Sequence, residues 1–476
     1  MSRISQVTRV QLPAADVSGT GVVGYDGPSW LSDLAVHEWH AFPSTSITAF
    51  VVASPLYDDI MSSHGATGTY YLSYSGGAFR RANSEIIFGA SGGGASAWMG
   101  SDIVGLDLSQ DSPQWVNRVP SVPPNEIWPA GTPGNTTFTV NVGASTLTVS
   151  ATKNGFQNDE RFSFPVGTPP APLQTGVSYW IVNASGYAPV TFQVAATQGG
   201  APITLTDSGD AAARVLWVRT SHSHMKSGKP NARHAYNQPQ HIAVTDEFVL
   251  MGVRNVWETD SGAYPEVSSW QYGTADWDAK DTYPDLWTTS GPQYDAWWTC
   301  QDHATGTVYF GCNTQFGKRT SAGTVTKINY SPAVGNHRDK GKAVFDAVRG
   351  TILLHVEAGV TNLWQWWELN PTTGAYSVRT MTGPAASSLG TYSAGICQDD
   401  STGAFYIYND DGYLYKVTWV ADDLYAEQLA TTGAGPVSGW AAENPGIWNR
   451  LWYAPQLGGV VLVVAATKNA YFIRTA

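Results

Sequence analysis

Short apolar runs recur along the chain at Ile86-Ile87-Phe88, Phe248-Val249-Leu250, Val308-Tyr309-Phe310, Ile352-Leu353-Leu354, Phe405-Tyr406-Ile407 and Val460 to Val464. Each run is continuous rather than alternating and far shorter than a helix. That pattern predicts strands buried on both faces. Each run also sits inside a longer unit. A strand and a tight turn around Gly, Asp or Asn precede it; a loop, a third strand and often a fourth follow. The copies lie at 76–119, 234–279, 298–332, 341–381, 393–430 and 450–476. No segment of helical length and period competes with them.

Aligned on the apolar run, the last four copies are about 44 to 55 residues apart. Propeller blades occupy roughly 40–50 residues each. The expected fold is therefore all-β, a propeller of about six blades whose stacked sheets bury the apolar runs between them. The last copy ends after three strands. Residues 37–42 (HEWHAF) are expected to supply its fourth and to close the ring, since closure removes open sheet edges.

One interval is out of step. About 100 extra residues separate the first two copies, and residues 131–215 carry a single Trp, Trp180, and no Cys. TFTVNV, TLTVSAT, RFSFPV, SYWIVNAS and TFQVAAT alternate as antiparallel strands do, and Asn154-Gly155, Gly199-Gly200 and the 169–172 Pro-rich link supply turns. This stretch is expected to be an inserted small β-sandwich or barrel. The expected organisation is an N-terminal arm (1–34), a propeller segment (35–125), the inserted β-domain (126–218) and the remaining blades (219–476).

Composition sharpens the picture. The chain of 476 residues has 49 Gly, 20 Trp and 23 Tyr but only 13% charged residues. Ordinary soluble domains carry roughly 25% charge, so much of this surface is expected to be buried or bound. The net charge of -12 argues against a nucleic-acid backbone as main partner. It also disfavours an anionic membrane. The first twenty residues lack a signal-peptide apolar core, and no run approaches the ~20 apolar residues of a membrane span; synthesis in a cytoplasm is expected. Cys300, Cys312 and Cys397 make no disulfide framework at this length, and buried free thiols are the expected state.

The blades resemble the Kelch and galactose-oxidase-like propeller superfamily. The resemblance rests on 75–115, where a Gly-rich loop follows the second strand and a Trp closes the fourth, with the same cadence at 232–253 and 453–474. The insert resembles a small β-module of tailed-phage structural proteins, on FQNDERFSFPVG (156–167), LQTGVSYWIVNAS (173–185) and FQVAATQGGAPITLTDSG (192–209). That second resemblance implies a virion protein, non-enzymatic, in the tail or host-attachment apparatus. It would be made in the host cytoplasm and assembled with other tail proteins as a homo-oligomer. A glycan-binding, lectin-like propeller and a copper radical oxidase are the alternatives.

Candidate chemistry is sparse. His222-Ser-His224 places two imidazoles on one strand face, which is half of a metal site. No Cys–Tyr pair carries over from the copper oxidases. Gly89-Ala90-Ser91-Gly92-Gly93 matches a nucleophile elbow, but more Gly, Ala and Ser follow where a helix must open. The pairs Asp399-Asp400, Asp410-Asp411 and Asp422-Asp423 suit turns, where Asp caps backbone N–H groups. No catalytic, cofactor or metal residue is therefore assigned. The long connections 92–100, 254–266, 280–295, 331–340 and 433–449 are expected on one rim. Trp98, Trp257, Tyr264, Tyr283, Trp287, Tyr294, Trp297, Trp440 and Trp448 fall in or beside them, as candidate contacts for a protein partner or a host glycan.

Overall fold

The computed structural model describes residues 27–52, 72, 75–90, 102–119, 137–149, 158, 161–164, 167–186, 189–197, 199–213, 216–217, 229–230, 237–251, 267–279, 282, 298–312, 315–332, 338–358, 363–389, 394–409, 411–436 and 447–476. Among them, six sheets of four or five strands correspond to the six copies, and a seventh, six-stranded sheet corresponds to the insert.

The first sheet runs Ala78–Arg80, Glu85–Gly89, Ile103–Asp107, Trp115–Val119 from its inner to its outer strand. The second begins at Pro239–Ile242, the third at Trp298–Asp302, the fourth at Arg338–Asp346, the fifth at Gly395–Gln398 and the sixth at Leu451–Ala454. In each, consecutive strands pair antiparallel as a meander. The inner strands meet one another in chain order, and the sixth returns to the first. The chain is a β-propeller.

Burial explains why the apolar runs do not alternate. Every second strand is an inner layer between two neighbouring sheets, and Glu85–Gly89, Glu247–Met251 and Gly459–Val463 are buried at every position. Ile86 and Phe88 pack against the sixth sheet, on Trp452, Val461 and Phe472. Ile87 points the other way, onto Phe248, Leu250 and Trp270 of the second. Four further clusters fill the remaining sheet–sheet interfaces round the ring. Each fully buried Ile, Leu or Phe contributes about 1.5–3 kcal/mol, so the continuous runs are the main cohesive element of the ring.

Closure uses the two distant parts of the chain. Glu38–Ala41 pairs antiparallel with Ala470–Arg474, matching Trp39 to Ile473, His40 to Phe472 and Ala41 to Tyr471. This is the strand expected from HEWHAF. Thr432–Gly433 adds a parallel pairing on its far side. Two short helices, Ser29–Ser32 and Ile47–Val52, flank this strand. Trp30 wedges between His40, Phe42 and Phe472 with ring centroids about 5 Å apart. No described helix is long and apolar enough to cross a membrane.

The insert's described strands form one antiparallel sheet ordered Leu216–Trp217, Arg161–Ser163, Ser178–Ser185, Val190–Ala195, Thr146–Val149, Phe138–Asn141. Alternation is visible in Thr146–Val149 and Val190–Ala195, whose apolar side chains build a core on Phe162, Phe164 and Ile181. Irregular chain at 168–173 and 202–210 covers that core with Leu173 and Leu205, tied to itself by Thr206 N to Ala171 O at 2.8 Å and Asp210 N to Thr168 O at 2.9 Å.

Candidate functional site

Each inner strand is an edge strand, with one row of backbone polar groups turned toward the axis. A repeated hairpin sets the register there. Asp302, Asp346 and Asp399 each open a turn into the second strand, and their carbonyls accept from Gly306, Gly350 and Gly403 at 2.8–2.9 Å. Their side chains cap the same turns, on Ala304 N at 3.0 Å, Val348 N at 3.0 Å and Ser401 N at 3.0 Å. The first, second and sixth sheets turn at the corresponding place through Ser84, Asp246 and Gly458, all at positive φ.

This common register brings one residue from every sheet to the same level, immediately before the turn: Phe79, His241, Gln301, Phe345, Gln398 and Tyr453. All six line a cavity of about 60 Å³ on the axis. Arg81, His303 and Asp400, just beyond the inner strands, line it at the turn rim. Arg81 forms a two-point ion pair with Asp400, one contact being Nη2 to Oδ1 at 3.3 Å. This joins the first sheet to the fifth across the sixth.

Other polar side chains replace the missing edge partners. Gln240 Nε2 donates to Thr299 Oγ1 at 2.8 Å, and Thr299 Oγ1 donates to the Asn237 carbonyl. Asn449 Nδ2 donates to Pro239 O, and Asn237 Nδ2 to Gly341 O at 2.9 Å. Gln398 donates to Asp346 at 3.0 Å and accepts from Ala347 N at 2.9 Å. Gln301, at the position in the third sheet that Gln398 holds in the fifth, is 4% exposed, and neither its Oε1 nor its Nε2 has a partner.

The electrostatics leave the cavity close to neutral. Burial, then the Arg81 and His241 charges, push the His303 pKa well below the usual imidazole range. Asp246 sits behind His241, with Oδ1 at 3.0 Å from Nε2. Burial alone would raise its pKa, but hydrogen bonds from His241 and Arg80 outweigh that and hold it at about 2. Cys300 and Cys397 occupy equivalent places in their inner strands, and burial pushes both thiols up. They are thiols, not thiolates, and weak nucleophiles. They are free and buried as expected; the Cys312 side chain lies outside the described residues.

A second polar group lies toward the opposite rim. Lys342 Nζ is buried 5.2 Å from the Trp448 ring centre, and Arg450 Nε donates to Ile447 O at 2.8 Å. Burial, then the Arg450 charge, lowers the Lys342 pKa well below its ordinary value. Burial takes Arg450 to about 9.

Of the aromatics expected at the rim, Trp98, Trp257, Tyr264, Tyr283, Trp287, Tyr294, Trp297 and Trp440 lie outside the described residues, as do His222, His224 and Ser91. Trp448 differs from the expectation of an exposed contact. It is 2% exposed: it lies three residues before the inner strand Leu451–Ala454, and its ring fills space beside Lys342. Asp399 caps its turn as expected, whereas Asp400 turns to the axis to meet Arg81. The axial layer was missed from sequence. Its signal was there: superposing Asp302-x-x-x-Gly306, Asp346-x-x-x-Gly350 and Asp399-x-x-x-Gly403 puts Gln301, Phe345 and Gln398 in register. Among the described residues, no three His, Cys, Asp or Glu side chains gather as a metal-binding set.

Fold and site together define a β-propeller with a polar cavity on its axis. No protein-family model matches the chain, and neither does any curated protein. Among solved structures, the chain is similar to the Cps50 (Swd1) β-propeller domain of Myceliophteria thermophila, at 9% identity over 48% of this chain and 62% of that one, TM-score 0.28. It is similar to the phage phi92 endosialidase, at 9% identity over 86% and 68%, TM-score 0.31. It is also similar to an oligogalacturonate lyase from Vibrio parahaemolyticus, at 10% identity over 85% and 89%, TM-score 0.34. These likenesses are faint; the six sheets and their closed contacts carry the assignment of fold.

Proposed function

We propose that this chain is a non-enzymatic structural protein of a tailed-phage virion, in the tail or host-attachment apparatus, and that it makes its contacts through one rim of the propeller. One observation carries the reading. Among the described strands, second and fourth strands end, and third strands begin, at the rim where the inner strands begin. The opposite rim is closed by tight turns such as 303–306, 347–350 and 455–458. The inserted sheet belongs to the first sheet-to-sheet connection, between Trp115–Val119 and Pro239–Ile242. A long sequence between these strand ends and an added β-module support a partner surface on that side, since connections carry recognition. The insert's resemblance to tailed-phage modules directs the reading to a virion, where rotational symmetry favours several copies. Mass spectrometry of purified virions from the source phage is expected to find the chain at a fixed stoichiometry, cross-linked through the rim that bears the insert to tail proteins. Virions that lack the chain, or cross-links confined to the tight-turn rim, overturn it.

A further inference from the structure

We propose that two copies of the chain join through the outer edge of the insert, strand Phe138–Asn141 pairing antiparallel with its own copy about a two-fold axis at Thr139. The inference is independent of where the protein acts. Phe138–Asn141 ends the insert's sheet and pairs with Thr146–Val149 on one side only. An unpaired edge is a template for another strand, and proteins shield such edges with charge, brevity or a covering segment. The other outer edges of the described sheets have such shields. The outer strands of the first four blade sheets carry Arg118, Asp276, Lys327 and Arg379. Those of the fifth and sixth are covered by the short parallel segments Met381–Thr382 and Thr432–Gly433. The insert's opposite edge, Leu216–Trp217, is two residues long and lies between Arg214 and Arg219 in sequence. Phe138–Asn141 has none of these shields, and no Asp, Glu, Lys or Arg occurs from 127 to 152.

Charge and symmetry identify the occupant as a second copy. The chain carries a net charge of -12, so two copies repel one another, and this uncharged stretch lets them approach without opposing like charges. Antiparallel pairing of one strand with itself is self-complementary about a two-fold axis. The open end of the insert's core then sets the register. Phe138 and Val140 are half-buried against that core, while Thr139 and Asn141 are exposed on the other face. Side chains alternate between faces, so both cores share one face of the joined sheet only if a residue, Thr139 or Val140, lies on the axis. With Val140 there, Phe138 would oppose residue 142, where the chain turns through 142–145. With Thr139 there, Phe138 of each copy opposes Val140 of the other, and each pair covers the half-buried side chains of its mate.

The test is sedimentation velocity of the full chain over a dilution series. The contact is narrow, so a dimer that dissociates on dilution is expected. Thr139→Lys, at an exposed position, sets two like charges face to face. It is expected to raise the dimer dissociation constant about tenfold or more without lowering the melting midpoint. Thr139→Cys is expected to give a disulfide-linked dimer on mild oxidation, because directly opposed residues of antiparallel strands have the Cα separation that a disulfide needs. The parent, whose Cys300 and Cys397 are buried, is expected to give none. A parent that sediments as a monomer at every concentration overturns the proposal. So does a dimer or larger assembly that Thr139→Lys leaves intact, since its contact lies elsewhere. Should that variant fail to fold, Thr139→Cys decides: a cross-linked dimer upholds the pairing, and its absence overturns it.

Discussion

His355 stacks on Trp366 at 4.3 Å between ring centres and is 3% exposed. Burial, then the charge of Lys342, lowers its pKa from 6.5 to about 3. The sign of the consequence follows from where protons bind. Below pH 6.5 the unfolded chain takes up a proton at this ring, while the folded chain refuses it until about pH 3. Stability is therefore full above pH 6.5 and falls as pH drops through that window, by up to about 1.4 kcal/mol per pH unit. His303 acts in the same direction. Asp246, lowered from 3.8 to about 2, takes effect in the more acidic interval between those values. Urea denaturation between pH 7 and 4 is expected to show the loss, and His355→Phe, which keeps a stacked ring, is expected to make it shallower. A variant slope equal to the parent's means that the imidazole is already charged in the fold.

At the scale of the element, the hairpin turn is the repeated device. Its fifth residue takes a left-handed backbone in all six sheets, from φ 51 at Ser84 to φ 74 at Gly403. Glycine fits that conformation without strain, which is why Gly punctuates the repeat. Two glycines separate conformation from crowding. A Cβ at Gly350 meets nothing within 4 Å, whereas at Gly374, also at positive φ, it lands 2.0 Å from the Asn329 carbonyl oxygen. Gly350→Ala is expected to cost about 1 kcal/mol, and Gly374→Ala at least twice that, because chain at 329–331 must move. Chemical denaturation of the two variants measures the difference; equal losses remove the crowding argument. The turns were legible in the sequence because Asp and Gly mark them locally. The turn puts Gln301, Phe345 and Gln398 in register with one another, but that this position faces the axis was not legible, since it depends on five other strands.

The whole molecule is a ring, and its stability depends on closing. Trp39 packs on Tyr408 and Tyr471 with ring centres 6.2 and 6.4 Å away, and Phe42 is fully buried. Removing residues 1–43 takes away both side chains and leaves Ala470–Arg474 with an unpaired edge. The expected loss is on the order of 5 kcal/mol, together with self-association through the new edge. Calorimetry and light scattering read the two effects. A truncated chain that melts like the parent and stays at the parent's mass shows that closure by this strand is dispensable.

Local pattern, by itself, determined the class of this protein. Continuous apolar runs specify strands buried on two faces, and Asp and Gly between them specify the turns, because strand burial and turn geometry are short-range properties. HEWHAF could be matched to the last copy for the same reason: it supplies the strand that copy lacks. Only the tertiary structure decided the cavity. Phe79, His241, Gln301, Phe345, Gln398 and Tyr453 are scattered over most of the chain, and only Gln301, Phe345 and Gln398 precede the shared Asp-x-x-x-Gly turn. They meet because six sheets in common register around one axis bring one position of each to the same level, and that convergence exists only in the closed ring.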